Sequence, residues 1–244
     1  MTDLAVKIEG SGPPVVLLHG LGLDGSVFDD LRLPDHMVIR PDLRGHGASA
    51  VPDGPYSMGG LIKDVEHLLD AQGIKDAVVF GLSLGGMIAQ GLAVKRLDLV
   101  RGLVLCATAA KLGQPGPWHD RAKIARESGM SALTQETLAR WNSGDVPKAR
   151  DLLLNTNREG YAATCEAIAG TDFYTPTSGL RLPTLGLGGD RDKATPPDLV
   201  RETTDLIPGS TFHLIRGAGH LAPETHGPVI ASHVATFLGE IGHS

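Results

Sequence analysis

Gly81-Leu82-Ser83-Leu84-Gly85-Gly86 is a stretch whose residue types and spacing point to nucleophilic chemistry. It matches G-x-S-x-G, a pattern that a chain with 32 glycines would show by chance about 0.2 times, so its setting must decide. The apolar run Ala77–Phe80 leads in, and Leu84, Ile88 and Leu92 lead out at helical spacing. A strand–turn–helix elbow of this kind needs small residues two positions either side of the serine, because the chain doubles back there. It lifts the Ser83 hydroxyl above the sheet at a helix N-terminus, where the dipole favours negative charge. The competing reading is a glycine-rich junction with a capping serine.

A serine hydroxyl is a weak nucleophile near neutral pH and needs a base within hydrogen-bond reach. Of ten histidines, His220 has the setting for one: it follows Gly217-Ala218-Gly219 on a turn just past the strand-like Thr211–Ile215. His226 and His233 lie near or on a terminal helix and are expected to be solvated, and His36, His67, His119, His213 and His243 lack a comparable context. An imidazole base needs an acid to hold its tautomer and stabilise the imidazolium. Gly188-Gly189-Asp190-Arg191-Asp192 offers two; Asp192, further into the loop, is preferred, and Asp190 is the alternative or the anchor of the turn. No histidine pair has metal-ligand spacing with a third ligand, so neither metal nor cofactor is assigned.

These residues need elements that bring them together. Val15–Leu18, Met37–Ile39, Ala77–Phe80 and Gly102–Cys106 are short apolar runs bounded by Gly, Pro or Asp, as in strands buried on both faces. Between them Leu61, Ile62, Val65, Leu68 and Leu69 recur at helical spacing after a Ser57 N-cap, with Gly73 closing the segment. The alternation predicts an α/β fold with a mostly parallel, doubly wound sheet. From Thr108 to Leu182 strand-like runs vanish and helices are expected at about 117–128, 131–142, 146–156 and 158–169. Strand patterns resume at Thr184–Leu187 and Thr211–Ile215, and a helix around Val229–Leu238 follows. The expected division is a core of 1–107 and 183–244 with a helical lid of 108–182; four helices packed separately on the core are the alternative. The lid segment carries nine Lys/Arg and eight Asp/Glu, against 13 and 20 in the remainder, so it is the less acidic part.

Composition removes other classes. The chain has 244 residues and a formal net charge of −6, so there is no bulk basic field to hold nucleic acid. No apolar run is long enough for a membrane span, and the first residues show no export signal. Two cysteines make no disulfide framework, which fits a reducing cytoplasm. Oligomeric state is not legible.

The order Ser83, Asp192, His220 is that of one serine-triad fold, the α/β hydrolases. With His19-Gly20-Leu21-Gly22, the Asp42–Ser49 stretch D-L-R-G-H-G-A-S, G-L-S-L-G-G, G-D-R-D and G-A-G-H in sequence, the chain resembles that superfamily over almost its whole length. The hydrolase arrangement assigns the main-chain N–H groups of Leu21 and Leu84 as the oxyanion hole, through backbone only. His19 is read as bonding within its loop, and Asp42–Gly47 as a scaffold turn with a buried Arg–Asp pair. Leu105–Gly113, Trp118, Arg121, Gly129-Met130, Arg140-Trp141, Gly160–Ala163 and Cys165 make the chain similar to the 3-oxoadipate enol-lactonases. That resemblance implies a cytoplasmic, cofactor-free serine hydrolase of aromatic catabolism that opens a small lactone through an acyl-enzyme. An acid-bearing lactone needs a cation in the pocket, since a buried unpaired carboxylate is strongly disfavoured. Arg121 or Arg140 supplies it, with Trp118 and Trp141 as apolar walls; solvent-facing arginines and packing tryptophans are the plainer readings. A small-ester carboxylesterase, a perhydrolase-like or C–C-bond hydrolase, and a ligand-binding sensor on the same fold are the alternatives.

Overall fold

The computed structural model describes residues 2–244. Seven strands form one sheet: β1 (Val6–Glu9), β2 (Pro14–Leu18), β3 (Met37–Pro41), β4 (Ala77–Leu82), β5 (Val100–Cys106), β6 (Thr184–Gly189) and β7 (Thr211–Ile215). Their order across the sheet is β1-β3-β2-β4-β5-β6-β7, with β1 antiparallel to β3 and every other neighbouring pair parallel. The antiparallel β1 carries no apolar run (Val-Lys-Ile-Glu), which is why the sequence pattern passes over it.

Burial on both faces explains the apolar strands. Val15, Leu17, Val78, Phe80, Leu82 and Val104 join one core cluster, while their neighbours Val16, Leu18, Val79, Leu103 and Leu105 join the other. The second face is covered by α1 (Met58–Ala71) and α2 (Leu84–Lys95) through Leu61, Val65, Leu69, Met87, Ile88 and Leu92. Ser57 caps α1 by accepting the Gly60 N–H at 3.1 Å, and Gly73, at φ 64°, turns the chain out of it.

Between β5 and β6 lie α3 (Pro115–Ser128), α4 (Ser131–Trp141), α5 (Pro147–Asn155), α6 (Arg158–Ala169) and the short α7 (Tyr174–Ser178). α3 and α6 pack together, and Arg126 of α3 reaches Glu159 (2.7 Å) and Glu166 (2.5 Å) of α6. α7, which the sequence pattern does not reveal, returns to the core, where the Thr177 hydroxyl donates to Gln90 of α2 at 2.9 Å. Three more helices complete the chain: α8 (Pro197–Asp205), α9 (Ala222–Thr225) and α10 (Gly227–Glu240). Ile230, Val234, Phe237 and Leu238 of α10 cover the first face of the sheet. α8 also escapes the sequence pattern: the Pro196-Pro197 pair looks like a loop, yet proline suits a first helical turn, whose N–H groups have no intrahelical partner. Because β2 and β4 to β7 run parallel, the loops after them emerge at one edge of the sheet.

Candidate active site

Ser83 stands between β4 and α2 at φ 55° and ψ −114°, a backbone conformation that a residue with a Cβ adopts only when its surroundings impose it. The surroundings are explicit. Ser83 N–H donates to the Cys106 carbonyl at 2.9 Å, and the Thr108 hydroxyl donates to the Ser83 carbonyl at 2.6 Å. A Cβ on Gly81 would overlap the backbone of Gly85 and Gly86, and one on Gly85 would overlap the carbonyl of Leu18, so the elbow closes only with glycine there. The Ser83 hydroxyl accepts from and donates to no protein group among the described residues and faces a cavity of about 400 Å³ that His220 also lines.

His220 comes in from the loop after β7 and is buried. Its Nδ1 lies 2.8 Å from Asp192 Oδ2, and the Thr195 hydroxyl lies 3.1 Å from the same nitrogen. Asp192, also buried, accepts the N–H groups of Ala194 (2.8 Å) and Thr195 (3.0 Å) on Oδ1 and the Thr195 hydroxyl (2.7 Å) on Oδ2. Burial alone would push the Asp192 carboxyl up; the His220 charge and the hydrogen bonds from His220 and Thr195 outweigh it and hold the group below the usual carboxylate range. The carboxylate is thus ionised and aimed at Nδ1, which leaves Nε2 free as an acceptor. Sequence reasoning missed Thr195. Its signal was the Asp-x-x-Thr spacing, which lets a loop carboxylate accept the N–H groups two and three residues on.

Asp190 does other work, accepting the Gly217 N–H on its Oδ1 at 2.7 Å and so tying the two loops together. His226 and His233 are half-buried, not solvated, and His233 stacks on His213 with ring centroids 4.5 Å apart.

The Leu21 and Leu84 N–H groups donate to no protein acceptor among the described residues, although Leu84 is fully buried. A buried backbone donor without a partner is rare and costly. His19 shapes their loop. It takes the Leu43 N–H on Nε2 at 2.9 Å and donates from Nδ1 to the Gly20 carbonyl at 2.8 Å, so it bonds outside its loop as well as within it. Burial pushes its pKa down to about 4 and that of His46 to about 3, so both are neutral. The 42–47 stretch is a scaffold turn in which Asp42 accepts the N–H groups of Gly25 (2.9 Å) and Ala48 (2.9 Å). The buried Arg–Asp pair does form, but Arg44 reaches across to Asp64 of α1.

Trp118, Arg121, Arg140 and Trp141 all line the cavity. Arg121 is buried and donates to the Tyr161 hydroxyl (2.7 Å) and to Thr137 (2.5 Å), with Glu136 3.6 Å away. Burial pushes the Tyr161 phenol up to about 12, so it stays protonated beside the guanidinium. Arg140 is exposed and pairs with no carboxylate among the described residues. Trp118 donates its indole N–H to the Leu112 carbonyl, and Trp141 lies nearly parallel to the His220 ring (13°, centroids 6.0 Å apart). Burial pushes the Cys106 and Cys165 thiols up, so neither supplies a competing thiolate. No cluster of three His, Cys, Asp or Glu side chains suited to a metal ion occurs among the described residues.

A strand–serine–helix elbow after one parallel strand, with Asp192 and His220 on the loops after later ones, is an arrangement found in one fold class. The chain belongs to the alpha/beta hydrolase family, whose model matches residues 15–232. It is 35% identical over 198 residues to 3-oxoadipate enol-lactonase 2 of Acinetobacter baylyi, covering 77% of this chain and 74% of that one. Among solved structures it resembles the enol-lactonase from Burkholderia xenovorans LB400 (TM-score 0.93, 34% identity, 98% of this chain and 97% of that chain). A thermophilic esterase from Thermogutta terrifontis is similar to the same degree (TM-score 0.93, 32% identity, 100% and 95%). No helix among the described residues is long and apolar enough to cross a membrane.

Proposed function

We propose that this enzyme is a serine hydrolase that opens a small carboxylate-bearing lactone, 3-oxoadipate enol-lactone, through an acyl-enzyme. The observation that carries the reading is the shared cavity: Ser83 at its strained elbow and His220, held on Asp192 at 2.8 Å, line the same space. Ser83 Oγ attacks the lactone carbonyl as His220 Nε2 takes its proton, and Asp192 stabilises the imidazolium. The oxyanion is held by the Leu21 and Leu84 N–H groups. The tetrahedral intermediate collapses by breaking the ring C–O bond, and His220 returns the proton to the leaving enol oxygen, which stays tethered to the acyl group. Water, deprotonated by His220, then releases Ser83. Ketonisation of the freed enol makes the opening irreversible.

Residues 108–182 serve as the lid over a core of 1–107 and 183–244. Of the two candidate cations in it, the exposed, unpaired Arg140 supplies the cationic end of the cavity for the substrate carboxylate, between the walls of Trp118 and Trp141, while Arg121 is held by Tyr161 and Thr137. The likeness to the Acinetobacter and Burkholderia enol-lactonases supports this substrate over others. The equally close likeness to an esterase supports a second reading, hydrolysis of small acyclic esters at the same serine. Two free, buried cysteines fit a place in the cytoplasm, and it is the likeness to the enol-lactonases that supports a role in aromatic catabolism. A panel of enol-lactones, saturated lactones and aryl esters, run on wild type and Ser83→Ala, tests the proposal. The enol-lactone should have the highest kcat/KM, and Ser83→Ala should lose several powers of ten with every substrate. Wild-type turnover by Ser83→Ala would end the serine mechanism; preference for acyclic esters would end the lactone assignment alone.

A further inference from the structure

The second glycine of Gly217-Ala218-Gly219-His220 has no part in the chemistry above, and its φ is not positive. It is a glycine for another reason. A Cβ there would overlap the carbonyls of Trp141 and Asn142, at the end of α4 in the inserted segment. The close approach is bonded at four points. His220 N–H donates to the Trp141 carbonyl at 2.8 Å, and the next donor, Leu221 N–H, gives its bond to the Ser143 hydroxyl at 2.9 Å. That hydroxyl donates to the same Trp141 carbonyl at 3.2 Å, which closes a ring around the His220–Leu221 peptide. On the acid loop, Asn142 Nδ2 donates to the Arg191 carbonyl at 2.7 Å, and Lys193 N–H donates to the Arg140 carbonyl at 3.2 Å. Asn142 closes α4 at φ 48° and ψ 41°, the left-handed cap that asparagine tolerates, and this turns the carbonyls of 140 and 141 toward the two loops.

We infer that Trp141-Asn142-Ser143 is a splint, contributed by the inserted helices, that sets the His220 backbone and its distance to Asp192, with Ser143 as its positioning residue. Neither β7 nor α10 supplies these bonds: His220 and Leu221 lie between them, and their N–H groups find acceptors only across the insertion. The insertion is therefore part of the catalytic frame at this point. Opening of the cavity must occur away from it, since lifting residues 141–143 would leave two buried backbone donors without acceptors.

The inference rests on His220 being the base of the proposed mechanism. Its test is kcat, KM and fluorophosphonate labelling rate for wild type, Ser143→Ala, Ser143→Thr and Asn142→Gly, with turnover expressed per labelled site. Ser143→Ala should lower kcat per site and labelling rate about tenfold, with KM within about twofold, since small displacements of a reacting group cost that much or more. Ser143→Thr restores the hydroxyl and should recover most of the rate. Asn142→Gly keeps the left-handed cap without the amide and should lose about threefold, which also covers the case in which Ser143→Ala does not fold. Unchanged kcat per site in Ser143→Ala, or a threonine variant no faster than the alanine one, overturns the splint. A wild type that the probe does not label, together with full turnover by Ser83→Ala, instead removes the mechanism beneath it.

Discussion

Replacing Asp192 by asparagine changes one atom and tests the electrostatics of the site. In the wild type Oδ1 faces two N–H donors, those of Ala194 and Thr195, and Oδ2 faces the Thr195 hydroxyl and His220 Nδ1. Asparagine has one acceptor oxygen, and the two backbone donors on the Oδ1 side claim it. Its NH2 then points at His220 Nδ1, and two N–H groups cannot face each other at 2.8 Å. The imidazole resolves the conflict by moving its proton to Nε2, which removes the acceptor that the proposed mechanism gives the Ser83 proton. The carboxylate charge that stabilised the imidazolium is lost as well. Together these should lower kcat about 10⁴-fold, the scale known for a triad acid made neutral, or about 5 kcal/mol of transition-state stabilisation. KM should hardly move, because Asp192 does not line the cavity. The fold favours the ionised form of Asp192, so its contribution to stability is complete above the ordinary carboxylate pKa and is lost as pH falls through the lowered one. The asparagine variant should lack that acid limb. Steady-state kinetics, active-site labelling and thermal melts between pH 3 and 7 measure all three effects; a folded Asp192→Asn enzyme within tenfold of wild-type kcat would refute the reasoning.

Ser83→Gly and Ser83→Ala should both be inactive, but the glycine variant should be the more stable by about 1 kcal/mol in urea unfolding, because φ 55° penalises any Cβ. Equal stabilities would deny the strain at the elbow. Arg140→Met should raise KM about tenfold for an acid-bearing lactone and leave a neutral aryl ester unchanged, since an exposed, unpaired cation matters only to an anion; equal effects on both substrates would remove its role. His19, held at a pKa of about 4 from an unfolded value near 6.5, binds its proton only in the unfolded chain over that window. Stability is therefore full above about pH 6.5 and should fall by roughly 3 kcal/mol as pH drops to about 4, with His46 adding in the same direction. A flat Tm across this range, or an unaltered acid limb in His19→Gln, would contradict it.

Local pattern carried far in this chain. The apolar runs located six of the seven strands. β2, β4 and β5 are buried on both faces and so are almost continuously apolar, whereas β7, mostly exposed at the sheet edge, was marked by Phe212, Leu214 and Ile215. Helix bounds such as 158–169 were legible from spacing, caps and glycine stops. β1 and α8 were not: one pairs only at the sheet edge and carries charge, and the other begins at a proline pair. Of the side chains read as chemical from their neighbours, Ser83 and His220 line one cavity and Asp192 bonds to His220.

What the sequence determined alone was therefore whatever a single segment can encode: strand or helix, glycine where the elbow would otherwise clash, and an acid or imidazole on a turn beyond a strand. The tertiary structure decided the partnerships. That Arg44 pairs with Asp64, that Thr195 joins Asp192 at His220 Nδ1, that Arg121 is sequestered by Tyr161 while Arg140 stays free, and that the carbonyl of Trp141 holds His220 are contacts between segments from 3 to 79 residues apart. Such pairings depend on distance and desolvation once the sheet has brought its loops to one edge, and neither quantity exists until the chain has folded.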